Sequence, residues 1–271
     1  FEHKLFLTAT PHNGYTQSFT GLLEQLDPVR FTKKDELTAA ERRRTEAIVI
    51  RRLKREINQA DEAAGRTPRF VEREIVPLAL DSNAREMALS GAFEKLRNAL
   101  RYLLSRGSRS EQMSGYFAIE VLQKRLLSCP FAFAESWHRF LAGLLEDEQA
   151  TDEEVRAAER AVREEIDDDA ETEGRLAYAS RIAGAWLRRY AKDVSQFVEA
   201  IDARLRALGL VPASDGLLPD PDEDARFDRL VKLIEEWVRE GKTWREDERL
   251  IVFTEYKTTL DYLERRLRSR Y

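Results

Sequence analysis

Two short apolar runs stand near the ends of the chain, and a long stretch of helical periodicity lies between them. Near the start, KLFLTAT at 4–10 sets Leu5, Phe6 and Leu7 in succession, which reads as a buried strand of the parallel type. Pro11-His12-Asn13-Gly14 follows as a turn, because proline fixes φ and Asn-Gly accepts φ > 0. Phe19, Leu22, Leu23 and Leu26 then predict a helix over 15–26, stopped by Asp27-Pro28. Thr38 and Glu41 form a capping box that opens a second helix over 38–57, with Ile48, Val49, Ile50, Leu53 and Ile57 as its apolar stripe. Residues 58–69, with Gly65 and Pro68, read as a loop. FVEREIVPLAL at 70–80 alternates and predicts an edge strand, since Pro77 lacks a donor.

From 81 onward the period is helical, with Asp81 or Ser82 as cap. Met87, Leu89, Phe93, Leu96, Leu100, Leu103 and Leu104 line one face, and Gly107-Ser108 closes it. Further helices are predicted over 109–127 and 130–147, the latter started by Pro130. Thr151 and Glu154 form a second capping box and open a long helical pattern to 208, broken near Gly174 and ended by Gly209. Three prolines, a glycine and an acid run make 210–224 a linker. A helix at 222–241, a buried strand in RLIVFTE at 249–255 and a last helix from 257, with Leu260, Leu263 and Leu267 in period, complete the pattern.

Composition agrees with helices that carry solvated faces. Charged residues make up 35% of the 271, against about 25% in ordinary domains. Glycine numbers 12 and proline 8. A single cysteine, Cys129, forms no internal disulfide and fits a reducing compartment, so a cytoplasmic protein is expected. Three histidines and that cysteine predict no metal site. No apolar run reaches the ~20 residues of a membrane helix, so no membrane partner is expected. The chain starts at Phe1 with neither an initiator methionine nor a signal peptide, which suggests a segment of something longer.

The two terminal runs and several stretches between them carry a family likeness. FLTATPHNG and LIVFTEYKTTLDYL together resemble the Swi/Snf-type, helicase-like ATPases of superfamily two. Thr8, Ala9, Thr10 and Pro11 are similar to helicase motif III, at the end of that family's first RecA-like lobe. Phe253, Thr254, Glu255 and Tyr256, in IVFTEY, are similar to motif IV, which opens the second lobe. LLEQLDPVRF at 22–31, IRRLKREI at 50–57, LQKRLLSCP at 122–130 and FDRLVKLIEEW at 227–237 resemble intervening stretches in the same order. His12 with the downstream LDPVRF is similar to bacterial members that resemble the RNA-polymerase recycling ATPase.

The resemblance implies a fold and a division of the chain. The expectation is a mainly α molecule: a helical bundle insertion with β-strand stubs of two RecA-like α/β lobes at its ends. Residues 1–30 would close the first lobe, and 31–80 would hold a basic helix and edge strand. Residues 81–210 would be the insertion, 211–224 a linker and 225–271 the start of the second lobe. The parent would be a DNA-dependent ATPase using ATP and Mg²⁺, acting on double-stranded DNA. This chain lacks G-x-x-x-x-G-K-[ST], and its Asp35-Glu36, Asp61-Glu62 and Asp152-Glu153 pairs fall in polar surroundings. It is therefore expected to hold no nucleotide, no cofactor and no catalytic residue, and to be inactive alone.

Charge distribution supplies the remaining candidates. Residues 41–56 carry seven cations against three acids. Arg51, Arg52, Lys54 and Arg55 are the candidates for DNA-backbone contact, the plain alternative being a solvated helix face. Residues 146–173 carry fourteen acids against three arginines, which reads as a solvated helix or as an arm for a protein partner. Trp137, Trp186 and Trp237 fall at core-facing positions, His138 reads as a packed or surface residue, and Cys129 as a small buried residue or a cap. The competing expectation for the whole is a helical protein–protein interaction module with no ATPase role.

Overall fold

A computed structural model describes residues 4–8, 11–12, 14–71, 73–80, 85–164 and 168–271. The chain divides into two compact units, Phe1–Pro77 and Leu78–Tyr271. Both are helical, and the described strands are a two-residue pair, β1 (Arg239–Glu240) and β2 (Thr243–Trp244), joined as an antiparallel hairpin.

The described residues of the first unit form three helices. In α1 (Thr16–Leu26) Leu23 is buried, as is Phe31 in the segment that follows. Asp27 ends the helix, and its carboxylate accepts from the Val29 and Arg30 amides at 3.2 Å each. The buried Thr20 hydroxyl bonds both backbone groups of Lys34, which fastens the following loop to α1. The Thr38–Glu41 capping box starts α2 (Ala39–Ile48) as expected. The predicted 38–57 helix, however, is two helices. Residues 49–53 are non-helical, and α3 (Lys54–Ala63) starts afresh with the Leu53 amide donating to the Glu56 carboxylate at 3.1 Å. The β-branched Ile48-Val49-Ile50 run explains the break, because such residues lose rotamer freedom in a helix.

The same break removes the predicted stripe: Ile50 is 83% exposed. The predicted 58–69 loop is helical to Ala63, and its remainder is tied back by side chains. Asn58 exchanges hydrogen bonds with both backbone groups of Phe70, at 2.6 and 3.0 Å. The buried Asp61 carboxylate accepts from Arg66 and Arg69 at 2.6–2.9 Å. These two arginines hold Asp61 well below the usual carboxylate range, Arg69 most strongly.

The second unit is a helical bundle: α4 (Arg85–Leu104), α5 (Arg109–Ser128), α6 (Pro130–Leu144), α7 (Asp152–Arg163), α8 (Asp169–Leu187) and α9 (Ala191–Ala207), then α10 (Ala225–Leu233) and α11 (Lys257–Arg270). Its core joins Leu89, Leu96 and Leu104 of α4 to Phe133, Trp137 and Phe140 of α6 and Trp186 of α8. Helices α6 and α8 cross where glycine meets backbone. A Cβ on Gly143 would enter the radius of the Arg181 carbonyl oxygen, and one on Gly184 that of Phe140. Trp137 and Trp186 are fully buried as predicted, and their indole N–H groups donate to Asp202 at 2.7 Å and Asp152 at 2.6 Å. Cys129 is both buried and the cap of α6, its Sγ accepting from the Ala132 amide. His138 is packed on the Leu210 carbonyl.

Several expectations fail for physical reasons. Residues 4–8, 73–80 and 249–255 are not strands. An apolar run becomes a strand only when a neighbouring edge pairs its backbone, and no partner edge lies among the described residues. Among the described residues, neither end forms the expected strand stub. The helix predicted to 208 breaks between Arg163 and Asp169, and tightens into a 3₁₀ turn at Arg188–Tyr190. The 222–241 helix ends at Leu233 in a π-turn over Ile234–Val238 before the hairpin. Met87 and Trp237, predicted for the core, are half exposed. The 130–147 helix stops at Leu144. The caps proposed at Asp81 or Ser82 lie outside the described residues.

Candidate nucleic-acid interface

The basic cluster sits on the α2–α3 junction. Arg51 and Arg52 occupy the non-helical link, while Lys54 and Arg55 open α3. Arg51 and Arg55 therefore do not share a helix face, which corrects the arrangement that a continuous helix would give. All four are exposed. Arg52 donates to the Arg51 carbonyl at 3.1 Å, and the Lys54 ammonium lies 5.4 Å from the Phe70 ring centroid.

Arg42, Arg43 and Arg44 on α2 are exposed as well. Two of the three nearby acids are engaged in caps, and the third, Glu46, is exposed on α2. Glu41 receives Thr38 and Lys34, and Lys34 first, then Thr38, lowers its pKa to about 2. Glu56 receives the Leu53 amide. Among the described residues, none of the seven cations is in an ion pair. The junction thus presents guanidinium groups whose forks match phosphate oxygens and which, among the described residues, are in no ion pair.

The motif III positions are only partly described. Thr8 is exposed and Pro11 half-buried, while Ala9 and Thr10 lie outside the described residues. The motif IV positions all belong to the second unit. Ile251 and Phe253 are largely exposed, Thr254 and Glu255 lead into α11, and Tyr256 is buried as its flanking residue. Burial, then the Glu255 charge, pushes the Tyr256 hydroxyl up to about 12. An open cleft of about 470 Å³ runs beside this segment, lined by Cys129, Asp224, Phe227, Phe253, Tyr256 and Tyr262 among others.

What fixes the start of α11 and the segment before it is a buried arginine. Arg125 lies on the core side of α5, 1% exposed. Its guanidinium donates to Ser136 of α6 at 3.1 Å, to both carboxylate oxygens of Glu173 of α8 at 3.0 and 2.8 Å, and to Thr258 of α11 at 3.0 Å. It lies 4.7 Å from the Tyr256 ring centroid. Glu173 also accepts from the Thr258 amide at 3.0 Å, at the start of α11. Burial raises the Glu173 pKa, but the Arg125 hydrogen bonds and charge outweigh it and hold the carboxyl below its usual range. Thr259 adds a 2.7 Å hydroxyl contact to Ser128.

A second buried network joins α10 and α11. Tyr262 donates to Asp224, Arg266 donates to Tyr262, and Glu86 of α4 accepts from the Ala225 amide. Burial, then the Asp224 charge, raises the Glu86 pKa.

Arg125 was legible in part. It falls three residues after Leu122 and one before Leu126 on an apolar face, where a cation needs a buried acid. Glu173 falls inside the acid run that reads as solvated, so its role was hidden by its neighbours.

The acidic pairs do not offer a magnesium site. Asp61 is held by two arginines, Asp152 by Trp186, and Asp35-Glu36 lies in an exposed loop. Among the described residues no cluster of three metal-ligating side chains occurs. Compared with protein families, curated proteins and solved structures, the chain has no match.

Proposed function

We propose that this chain is the central segment of a DNA-translocating, Swi/Snf-type motor. It carries the end of one RecA-like lobe, the helical insertion and the start of the next lobe. Its own part is to contact the DNA backbone and to transmit lobe closure, while ATP and Mg²⁺ are handled by parts of the parent that bear a phosphate loop. Motif III coupling falls to Thr8, Ala9, Thr10 and Pro11, and motif IV to Phe253, Thr254, Glu255 and Tyr256.

One observation supports the binding role: the exposed cations of the α2–α3 junction, in no ion pair among the described residues, on a chain of net charge −5. Some cations elsewhere are paired, as Arg175 is with Glu171 and Arg268 with Glu264, whereas the junction gathers seven that are in no ion pair among the described residues. Phosphate contact needs charge and no base readout, which suits a motor that moves over any sequence. In support of the coupling role, the buried Arg125 network ties the motif IV segment to the insertion helices.

The test is charge reversal. Arg51→Glu with Arg55→Glu should weaken binding to two unrelated duplexes equally, as read by fluorescence anisotropy. Affinity unchanged at low salt would mean the face is merely solvated.

A second reading, a helical interaction module, draws on the exposed Ile251 and Phe253 beside the cleft, where a partner's apolar side chains could pack. The parent gene separates the two readings. A phosphate loop upstream together with an arginine-rich motif downstream supports the motor, and the lack of both supports the module.

A further inference from the structure

The hairpin between α4 and α5 carries a second concentration of positive charge. Residues 95–110 contain Lys95, Arg97, Arg101, Arg106 and Arg109 and no carboxylate. Arg97 is paired with Glu94. Arg101, Arg106 and Arg109 are exposed, and among the described residues none of the three is in an ion pair.

The tip is held firmly from below. Leu104 is fully buried in the core against α5, and Ser108 caps α5 in a reciprocal box with Glu111. The acids packed at this end are already engaged. Glu111 accepts from Ser108 and pairs with Arg189, Asp152 accepts from Trp186, and Glu154 closes the Thr151 cap. Glu153, beside them on α7, is exposed. The Arg106 guanidinium lies 4.8 Å from the ring centroid of the exposed Tyr102 and donates to its hydroxyl, which fixes the fork in place.

We propose that the α4–α5 tip is a second contact for the phosphate backbone of duplex DNA, made by Arg101, Arg106 and Arg109; this rests on the DNA-binding role proposed above. Residues 105–110, SRGSRS, are polar throughout. A protein partner would look for a buried apolar anchor there, whereas phosphate contact needs only cations and hydroxyls. Arginine suits the task because two of its N–H groups meet two phosphate oxygens at once.

The experiment uses the whole chain, a fluorescent duplex and a salt series. Arg106→Glu with Arg109→Glu is compared with Arg204→Glu with Arg206→Glu, an equal charge change on exposed residues in the last turn of α9. With two phosphates no longer engaged, the slope of log K against log salt should fall by about 1.8 and the affinity by roughly 60-fold at 0.1 M salt. The control variant should bind within a few fold of wild type.

Wild type that binds duplex, with both variants weakened alike, overturns the tip contact and leaves the DNA-binding role standing. Wild type that binds no duplex overturns that role and the tip contact with it. A tip that captures a poly-glutamate peptide, with duplex affinity unaltered by the tip variant, overturns the proposal in favour of an acidic protein partner. Far-UV circular dichroism and melting of each variant confirm that the fold is kept.

Discussion

Replacing Arg125 with alanine leaves the Glu173 carboxylate without its bidentate partner in a largely dry site, strands the Ser136 hydroxyl, and leaves the Thr258 hydroxyl with Glu135 alone. Removing one member of a buried pair typically costs about 3–5 kcal/mol, because the remaining charge is uncompensated. For a unit of this size each kcal/mol lowers Tm by about 2–4 °C, so the drop should lie between roughly 6 and 20 °C. Arg125→Lys keeps the charge but loses the fork, and should fall between the two proteins. Arg125→Leu combined with Glu173→Leu removes both charges and should recover much of the loss, which a double-mutant cycle would read as a large coupling.

Amide exchange gives a local readout. The first turn of α11 should open faster in Arg125→Ala, since the Thr258 hydroxyl loses its arginine and the Glu173 carboxylate that receives the Thr258 amide loses its anchor. A pH series adds a sign. The folded Glu173 pKa lies below its ordinary 4.5, so its contribution is complete above that value and is lost as pH falls through the lower folded value. An Arg125→Ala protein that melts within about 2 °C of wild type, with unchanged exchange in α11, would refute the reasoning.

Gly184→Ala should destabilise the bundle severely, by several kcal/mol, because the new methyl meets the Phe140 carbonyl rather than a flexible side chain; thermal melting reads it. Glu86→Gln should raise Tm at pH 7. Its folded pKa is raised above 4.5, so the charged form disfavours folding there, and the gain should vanish as pH falls below 4.5. Thr38→Ala and Thr151→Ala should each cost about 0.5–2 kcal/mol locally, seen as faster amide exchange at 41 and 154.

Much of the helical order could be read from the chain because its signals are local. The capping boxes at Thr38 and Thr151, Pro130 at a first turn and Gly209 at a helix end depend only on residues a few positions apart. Apolar runs mislead where local and long-range demands differ. Leu5-Phe6-Leu7 and Ile251-Val252-Phe253 have strand composition, yet a strand needs a neighbour, which the run itself does not encode. Ile48-Val49-Ile50 matched the helical period and was overruled by the stiffness of β-branched side chains.

For the candidate interface, composition disclosed the cations at 51–55 but not their placement on a non-helical link. The cations of the α4–α5 tip could have been found by counting carboxylates as well as arginines, because the signal is the absence of acids over 95–110. The Arg125–Glu173 pair joins positions 48 residues apart, beyond the reach of any periodicity.

That this acidic chain grips the DNA backbone through the α2–α3 junction is the central claim. Its most direct test is the salt dependence of duplex binding by wild type and by a variant with Arg51, Arg52, Lys54 and Arg55 all changed to glutamate. Wild type should show a linear fall of log K with log salt, the same for unrelated sequences, and the variant a slope smaller by about 0.9 for each phosphate it no longer engages. Identical slopes and affinities for the two proteins, or no duplex binding by wild type at low salt, would contradict it.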